Sequence, residues 1–125
     1  EWCKANPEKV MYGEVFGQVQ SLKYGAKQND IFFAAFAILD KDKWLDWEEL
    51  EKSIISIPGL KTAPVLFKGA FDEKKAYELA EGESSWPNAN HMREGVVIVP
   101  EKERMSEEIG RVVLKVVSNR YLEKN

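Results

Sequence analysis

Ile31-Phe32-Phe33-Ala34-Ala35-Phe36-Ala37-Ile38-Leu39 is an unbroken apolar run of nine residues, with Asp30 before it and Asp40 after it. That length suits a buried strand better than a helix, although its alanines permit helix. We read it as a buried strand. Upstream, Val10 to Gln20 (VMYGEVFGQVQ) alternates like a second strand. Side chains alternate faces in a strand, so Tyr12, Glu14, Phe16 and Gln18 share one face, and Met11, Val15 and Val19 the other. Gly13 and Gly17 weaken such a strand unless backbone or ligand must come close. Gln28 to Asp30 is a turn between the two.

Downstream, Asp46 opens a helix with the capping-box spacing Asp46-x-x-Glu49. Trp47, Leu50, Ile54 and Ile57 form its apolar stripe, and Pro58-Gly59 ends it. Pro64 to Lys68 (PVLFK) reads as a short strand. Asp72 caps a second helix running to Gly82, with Ala76, Leu79 and Ala80 inward. Ser84 to His91 (SSWPNANH) is loop chemistry. Glu94 to Val99 (EGVVIV) is a β-branched strand closed by Pro100. Glu101 to Glu108 reads as a solvated charged turn, Arg111 to Val117 (RVVLKVV) as the last strand, and Ser118 to Lys124 as the start of a helix. Strands mostly near hairpin distance, separated by two short helices, predict an α+β fold with antiparallel sheets.

The chain has 125 residues, enough for one domain with a real core. With 18 basic and 21 acidic side chains its formal charge is −3, which argues against a generic electrostatic coat for DNA but leaves a local basic channel open. The one cysteine, Cys3, excludes an internal disulfide framework and fits a reducing compartment, so we expect the protein in the cytoplasm. No apolar run is long enough to span a membrane. The first residues lack the pattern of a signal peptide. Internal repeats and low-complexity stretches are absent.

Several tempting patterns fail on chemistry. Asp40, Asp42, Asp46, Glu48 and Glu51 follow the spacing of a calcium loop, but Leu45 stands where that loop needs glycine. Asp46 is better used as a helix cap. His91 is the only histidine, too few for a metal centre. With Ser84 or Ser85 it lacks the Gly-x-Ser-x-Gly elbow of a hydrolase, so we read it as a polar loop residue. Cys3 beside Trp2 has no nucleophile context. Neither a Rossmann fingerprint nor a P-loop is present.

Three charges resist a bland reading. Glu14 lies mid-strand beside Gly13, Glu94 opens a wholly apolar strand, and Lys115 interrupts a run of valines and leucine. A buried charge must be paired or must bind something charged. Carboxylates hold a divalent metal or its waters, and a lysine holds phosphate as a point charge. Edge positions or an internal ion pair would explain the same pattern, and the pattern alone leaves both readings open.

Taken together, the segments resemble ATP-dependent RNA ligases of the bacterial and phage type, in the covalent nucleotidyltransferase superfamily. Tyr12-Gly13-Glu14-Val15-Phe16-Gly17, with Gln20 and Tyr24-Gly25, resembles motif III. Phe32 to Ile38 resembles motif IIIa, Arg93-Glu94-Gly95-Val96-Val97-Ile98 motif IV, and Leu114-Lys115-Val116-Val117-Ser118, running on to Tyr121-Leu122, motif V. The resemblance covers about residues 10 to 124. It implies part of an ATP-grasp-like nucleotidyltransferase domain. It implies joining of RNA 5′-phosphate and 3′-hydroxyl ends through lysyl-AMP and RNA-adenylate, with ATP and Mg2+ or Mn2+ as cofactors. ATP, AMP and RNA ends are the expected partners, with no membrane and no protein partner.

By that resemblance Phe36 stacks on adenine, Glu14 sits near the ribose and metal waters, Glu94 holds a divalent metal through water, and Lys115 contacts the adenylate phosphate. Glu94 and Lys115 are the expected catalytic residues. Motif IV also supplies an aliphatic contact to adenine; the match points to Val97, whereas alternation from Glu94 favours Val96. A place in the core with Phe32 and Phe33 is the alternative for Phe36. The chain departs from the family pattern in three places. None of its fourteen lysines begins the nucleophile motif Lys-x-[Asp/His/Asn]-Gly, which we expect upstream of Glu1, leaving residues 1–125 as a single C-terminal portion of the adenylation domain and inactive alone. Ala37 replaces a common acidic residue, and Val117 a common second lysine. A DNA ligase, a capping guanylyltransferase and a non-catalytic nucleotide or RNA-end module remain alternatives.

Overall fold

The computed structural model describes residues 1–18 and 22–124. In chain order its elements are α1 (Trp2–Ala5), β1 (Lys9–Gly17), β2 (Ile31–Asp40), β3 (Lys43–Trp44), α2 (Trp47–Ile55), β4 (Lys61–Thr62), α3 (Glu73–Ala80), β5 (Gly95–Ile98), β6 (Met105–Ser106), β7 (Gly110–Arg111), β8 (Leu114–Val117) and α4 (Asn119–Lys124). This is the α+β arrangement of small sheets and short helices that the pattern predicts. The chain forms two compact units. Glu1–Val15, Phe32–Ala63 and Pro100–Val112 make the first; Phe16–Ile31, Pro64–Val99 and Val113–Asn125 make the second.

In the first unit β2 is the organising strand, hydrogen-bonded to β1, β3 and β4. The β1–β2 hairpin is closed beyond its two ends by Gln18 N–H donating to the Asp30 carbonyl (3.1 Å) and Lys41 N–H donating to the Glu8 carbonyl (3.1 Å). Gly13 is required by close approach, because a Cβ there would lie 2.6 Å from the Ala34 carbonyl oxygen. β1 stops at Gly17, whose φ of +108° suits only glycine. Gln18 begins the turn, and Val19 and Gln20 lie outside the described residues.

Ala35 and Ile38 of β2 form the core with Leu50 and Ile54 of α2, and Trp2, Met11, Leu45, Trp47 and Leu60 pack around them. α2 starts at Asp46 with the expected capping box, and it ends before Ile57. β3 pairs with β2 antiparallel, whereas β4 runs parallel to it with Ala34 opposite Lys61. The strand expected at Pro64–Lys68 does not form. Proline has no N–H to give a ladder, and the pairing falls on Lys61–Thr62 instead.

The stretch 111–117 is also divided. Arg111 belongs to β7, which pairs with β6, and Val112 N–H bonds the Arg104 carbonyl (3.1 Å). The strand resumes at Leu114 in the second unit. The segment 101–108, expected as a solvated turn, thus contributes β6. Its Glu103 is half-buried and accepts two bonds from the Arg111 guanidinium (3.0 and 2.5 Å). That guanidinium also stacks over Trp44, 4.1 Å from the ring centre.

In the second unit α3 is capped by Asp72, whose side chain accepts from Lys75 N–H (3.1 Å). It packs through Ala76 and Ala80 against the antiparallel β5–β8 pair. Its Ala76, with Phe71 and Tyr77, frames a hollow of about 220 Å³ with Ile98, Leu114 and Val116. Phe16, Tyr24, Trp86 and His91 form a separate aromatic cluster of edge-on contacts, with ring centres 4.4 to 5.0 Å apart.

Candidate functional site

Glu14 and Phe36 belong to the first unit. Glu14 is exposed on β1, directly after the glycine that lets β2 come close. Phe36 is 50% exposed on β2, between Ala35 at 0% and Ala37 at 2%. Ala34, Ala35, Ala37 and Ile38 are all buried, so both faces of β2 are covered along this stretch, and Phe36 alone among them stands outward. Its exposure does not fit a purely core role. Phe33 lies with its ring against Gly13, where a side chain would otherwise stand.

Glu94, Val97 and Lys115 belong to the second unit. The β5–β8 register sets Gly95 opposite Val117, Val96 opposite Val116, Val97 opposite Lys115 and Ile98 opposite Leu114. Residues directly opposite present their side chains on the same face. Val97, 62% exposed, therefore stands beside Lys115. Ile98, Leu114, Lys115 and Val116 border the hollow under α3. By this register Val97 and not Val96 shares a face with Lys115. Glu94 lies one residue ahead of β5, half-buried, and its carbonyl accepts from Ser118 N–H (2.9 Å). Gly95, between Glu94 and Val96, has φ +156° and lies tight against β8. A Cβ on it would fall 2.9 Å from the Val117 Cα and closer still to the Val116 carbonyl oxygen.

Among the described residues none of Glu14, Glu94 and Lys115 enters an ion pair. Ion pairs elsewhere include Lys41–Glu8, Lys52–Glu48, Lys102–Asp46, Arg111–Glu103 and Arg120–Glu83. The described residues also contain no group of three or more His, Cys, Asp or Glu side chains able to hold a metal. The calcium-loop spacing builds no such group.

Two supporting residues were not singled out by sequence. The Arg93 guanidinium donates to the carbonyls of Leu79, Glu81 (3.0 Å) and Glu83 (2.9 Å) and to Ser85 Oγ (2.9 Å). It thereby ties the carbonyl end of α3 to the residue before Glu94. Glu81 accepts from Asn119 N–H (2.6 Å) and the Ser118 hydroxyl (2.8 Å). These two bonds, the Asn119 amide first, hold its carboxyl below the usual range. Ser118 is fully buried and its Oγ also accepts from Tyr121 N–H (3.2 Å), capping α4. The strand that carries Lys115 is in this way anchored to the end of α3. Nothing local signals Glu81, since its partners are 37 and 38 residues away.

This arrangement of small sheets and short helices is the nucleotidyltransferase-like α+β fold of RNA ligases. Three solved structures of a Naegleria gruberi RNA ligase superimpose on it with a TM-score of 0.71 and 25% identity over 94% of this chain. One is a lysine-to-alanine mutant with ATP and Mn, one is with pyrophosphate, and one is a lysine-to-methionine mutant with AMP and Mn. The chain spans 34% of the length of that ligase. No curated protein matches in sequence. Residues 3–117 match the RNA ligase family, and the chain belongs to that family.

Proposed function

We propose that residues 1–125 form part of the adenylation domain of an ATP-dependent RNA ligase. The observation that carries this reading is the Val97–Lys115 pair, an exposed cation set beside aliphatic surface by the β5–β8 register. Lys115 faces the α-phosphate of ATP and then of AMP, and Val97 beside it lies against adenine; Phe36 is the first unit's candidate for adenine stacking. A lysine outside the motifs present here attacks the α-phosphorus, forms a P–N bond and releases pyrophosphate. The AMP then passes to an RNA 5′-phosphate, and an RNA 3′-hydroxyl displaces it to form the phosphodiester. Glu94 is the second unit's carboxylate that would help hold Mg2+ or Mn2+, and Glu14 the first unit's, since such a cation suits few carboxylates plus phosphate oxygens; it would neutralise phosphate charge. The Naegleria structures with ATP, AMP and Mn support these ligands. A cytoplasmic location completes the reading, supported by the single exposed thiol of Cys3.

The test is Lys115→Ala in a ligase that contains this chain together with its nucleophilic lysine. Transfer of labelled AMP to the enzyme should fall at least about a hundredfold, the scale of losing one preorganised charge at a reacting phosphate. The melting temperature should hold, because Lys115 is exposed and has no ion-pair partner among the described residues. Normal adenylation with a lower melting temperature would make Lys115 structural and defeat the proposal.

A further inference from the structure

His91 has a place in the second unit that its loop does not announce. Its Nε2 accepts from Tyr24 N–H (3.2 Å), and its Nδ1 lies 2.8 Å from the Met92 carbonyl oxygen. An amide N–H only donates, so Nε2 is the bare nitrogen and Nδ1 carries the proton. The imidazole also stands edge-on to the Tyr24 ring at 4.4 Å. Tyr24 and Gly25 both have left-handed backbone, with φ of +53° and +75°. That conformation is costly for an aromatic residue and needs outside support. On its far side Tyr24 meets Phe16 at 5.0 Å, and Phe16 meets Trp86 at 4.7 Å. Phe16 lies on β1, two residues beyond Glu14.

We infer that His91 is a positioning residue: its neutral ring holds the Tyr24–Gly25 corner against Phe16, and its protonation releases that corner and weakens nucleotide binding. The second half rests on the ATP-dependent reading above. A doubly protonated imidazole presents N–H at both nitrogens and cannot accept from Tyr24. The charged and titratable groups near the ring in chain and pairing include the Tyr24 phenol, Lys23 and Lys27 beside the corner, Glu83 bridged to Met92, and Arg93 next to Met92. Lys23 donates to the Gln18 carbonyl, Glu83 pairs with Arg120, and Arg93 is bonded to carbonyls and Ser85.

The experiment compares wild type, His91→Gln and His91→Ala in the full-length ligase. ATP affinity is measured at steps from about pH 7.5 down into mild acid at about pH 5.5. The Tyr24 amide resonance of the wild type is followed over the same range. Glutamine keeps an acceptor for Tyr24 but does not titrate. Wild type should lose about fivefold in affinity on acidification, the size of one neutral hydrogen bond. His91→Gln should show only the dependence that the ATP phosphates bring, and His91→Ala should bind weakly throughout. The Tyr24 amide should shift in step with the imidazole. A His91→Gln variant as acid-sensitive as wild type, or a Tyr24 amide that ignores the imidazole, would overturn the inference. If no variant binds ATP at any pH, the ligase reading fails, while the Tyr24 amide still decides whether His91 is the clamp.

Discussion

Phe36 and Phe33 stand on one strand and offer a matched pair of substitutions. Both rings are partly exposed, but Phe33 lies against Gly13 and Phe36 faces outward beside two buried alanines. Phe36→Leu keeps most of the buried apolar area, so it should cost about 1 kcal/mol or less in unfolding free energy. It should still raise the ATP concentration needed for self-adenylation more than Phe33→Leu does, because stacking needs an aromatic face. Equal ATP dependence in the two variants would return Phe36 to a packing role. Glu81 and Asp46 make a prediction in pH. Both carboxyls are held below their usual range: Glu81 by the Asn119 amide and Ser118 hydroxyl, Asp46 first by the Glu103 amide and then by Lys102 and Lys43. A depressed carboxylate stabilises the fold above its unfolded pKa, and that contribution is lost as pH falls through the folded value. The urea midpoint of Glu81→Gln should therefore lie furthest below wild type at neutral pH. The gap should narrow below about pH 4, where free carboxylates protonate, and close in stronger acid. A gap that widens in acid would contradict the Glu81 geometry.

The β5–β8 pair is the element on which the candidate site most depends, and Gly95 is its weakest tolerance. A side chain there meets the Val116 carbonyl and the Val117 Cα. Gly95→Ala should cost roughly 1–3 kcal/mol in a denaturant titration, and it should impair AMP transfer through the displaced Val97–Lys115 register. A variant as stable as wild type would show that the pairing is looser than described. The elements that sequence made legible are those whose determinants are local. The Asp46 and Asp72 caps, the apolar run of β2 and the alanine face of α3 each show within a turn or two of chain. The three misplaced charges were legible for the same reason, since a glutamate or lysine inside an apolar strand is a local contradiction. β4 is a two-residue strand whose partner β2 lies far back in the chain, β6 and β7 are two residues each and too short for a pattern to show, and Glu103 looked solvated because Arg111 sits across their hairpin. His91 read as a loop residue because the amide it supports is 67 positions away.

At the scale of the whole chain, the missing nucleophile motif makes a direct prediction. Residues 1–125 incubated with radiolabelled ATP and magnesium should remain unlabelled after acid precipitation. A stable label on any of the fourteen lysines would place the chemistry elsewhere. The two compact units are built from alternating stretches, so the backbone passes from one to the other after Val15, Ile31, Ala63, Val99 and Val112. No single protease cut can therefore release either unit as one continuous peptide. A stop codon after Val99 would remove the β6–β7 hairpin from the first unit and β8 with α4 from the second. A gene fragment that encodes only half of this stretch therefore damages both units at once.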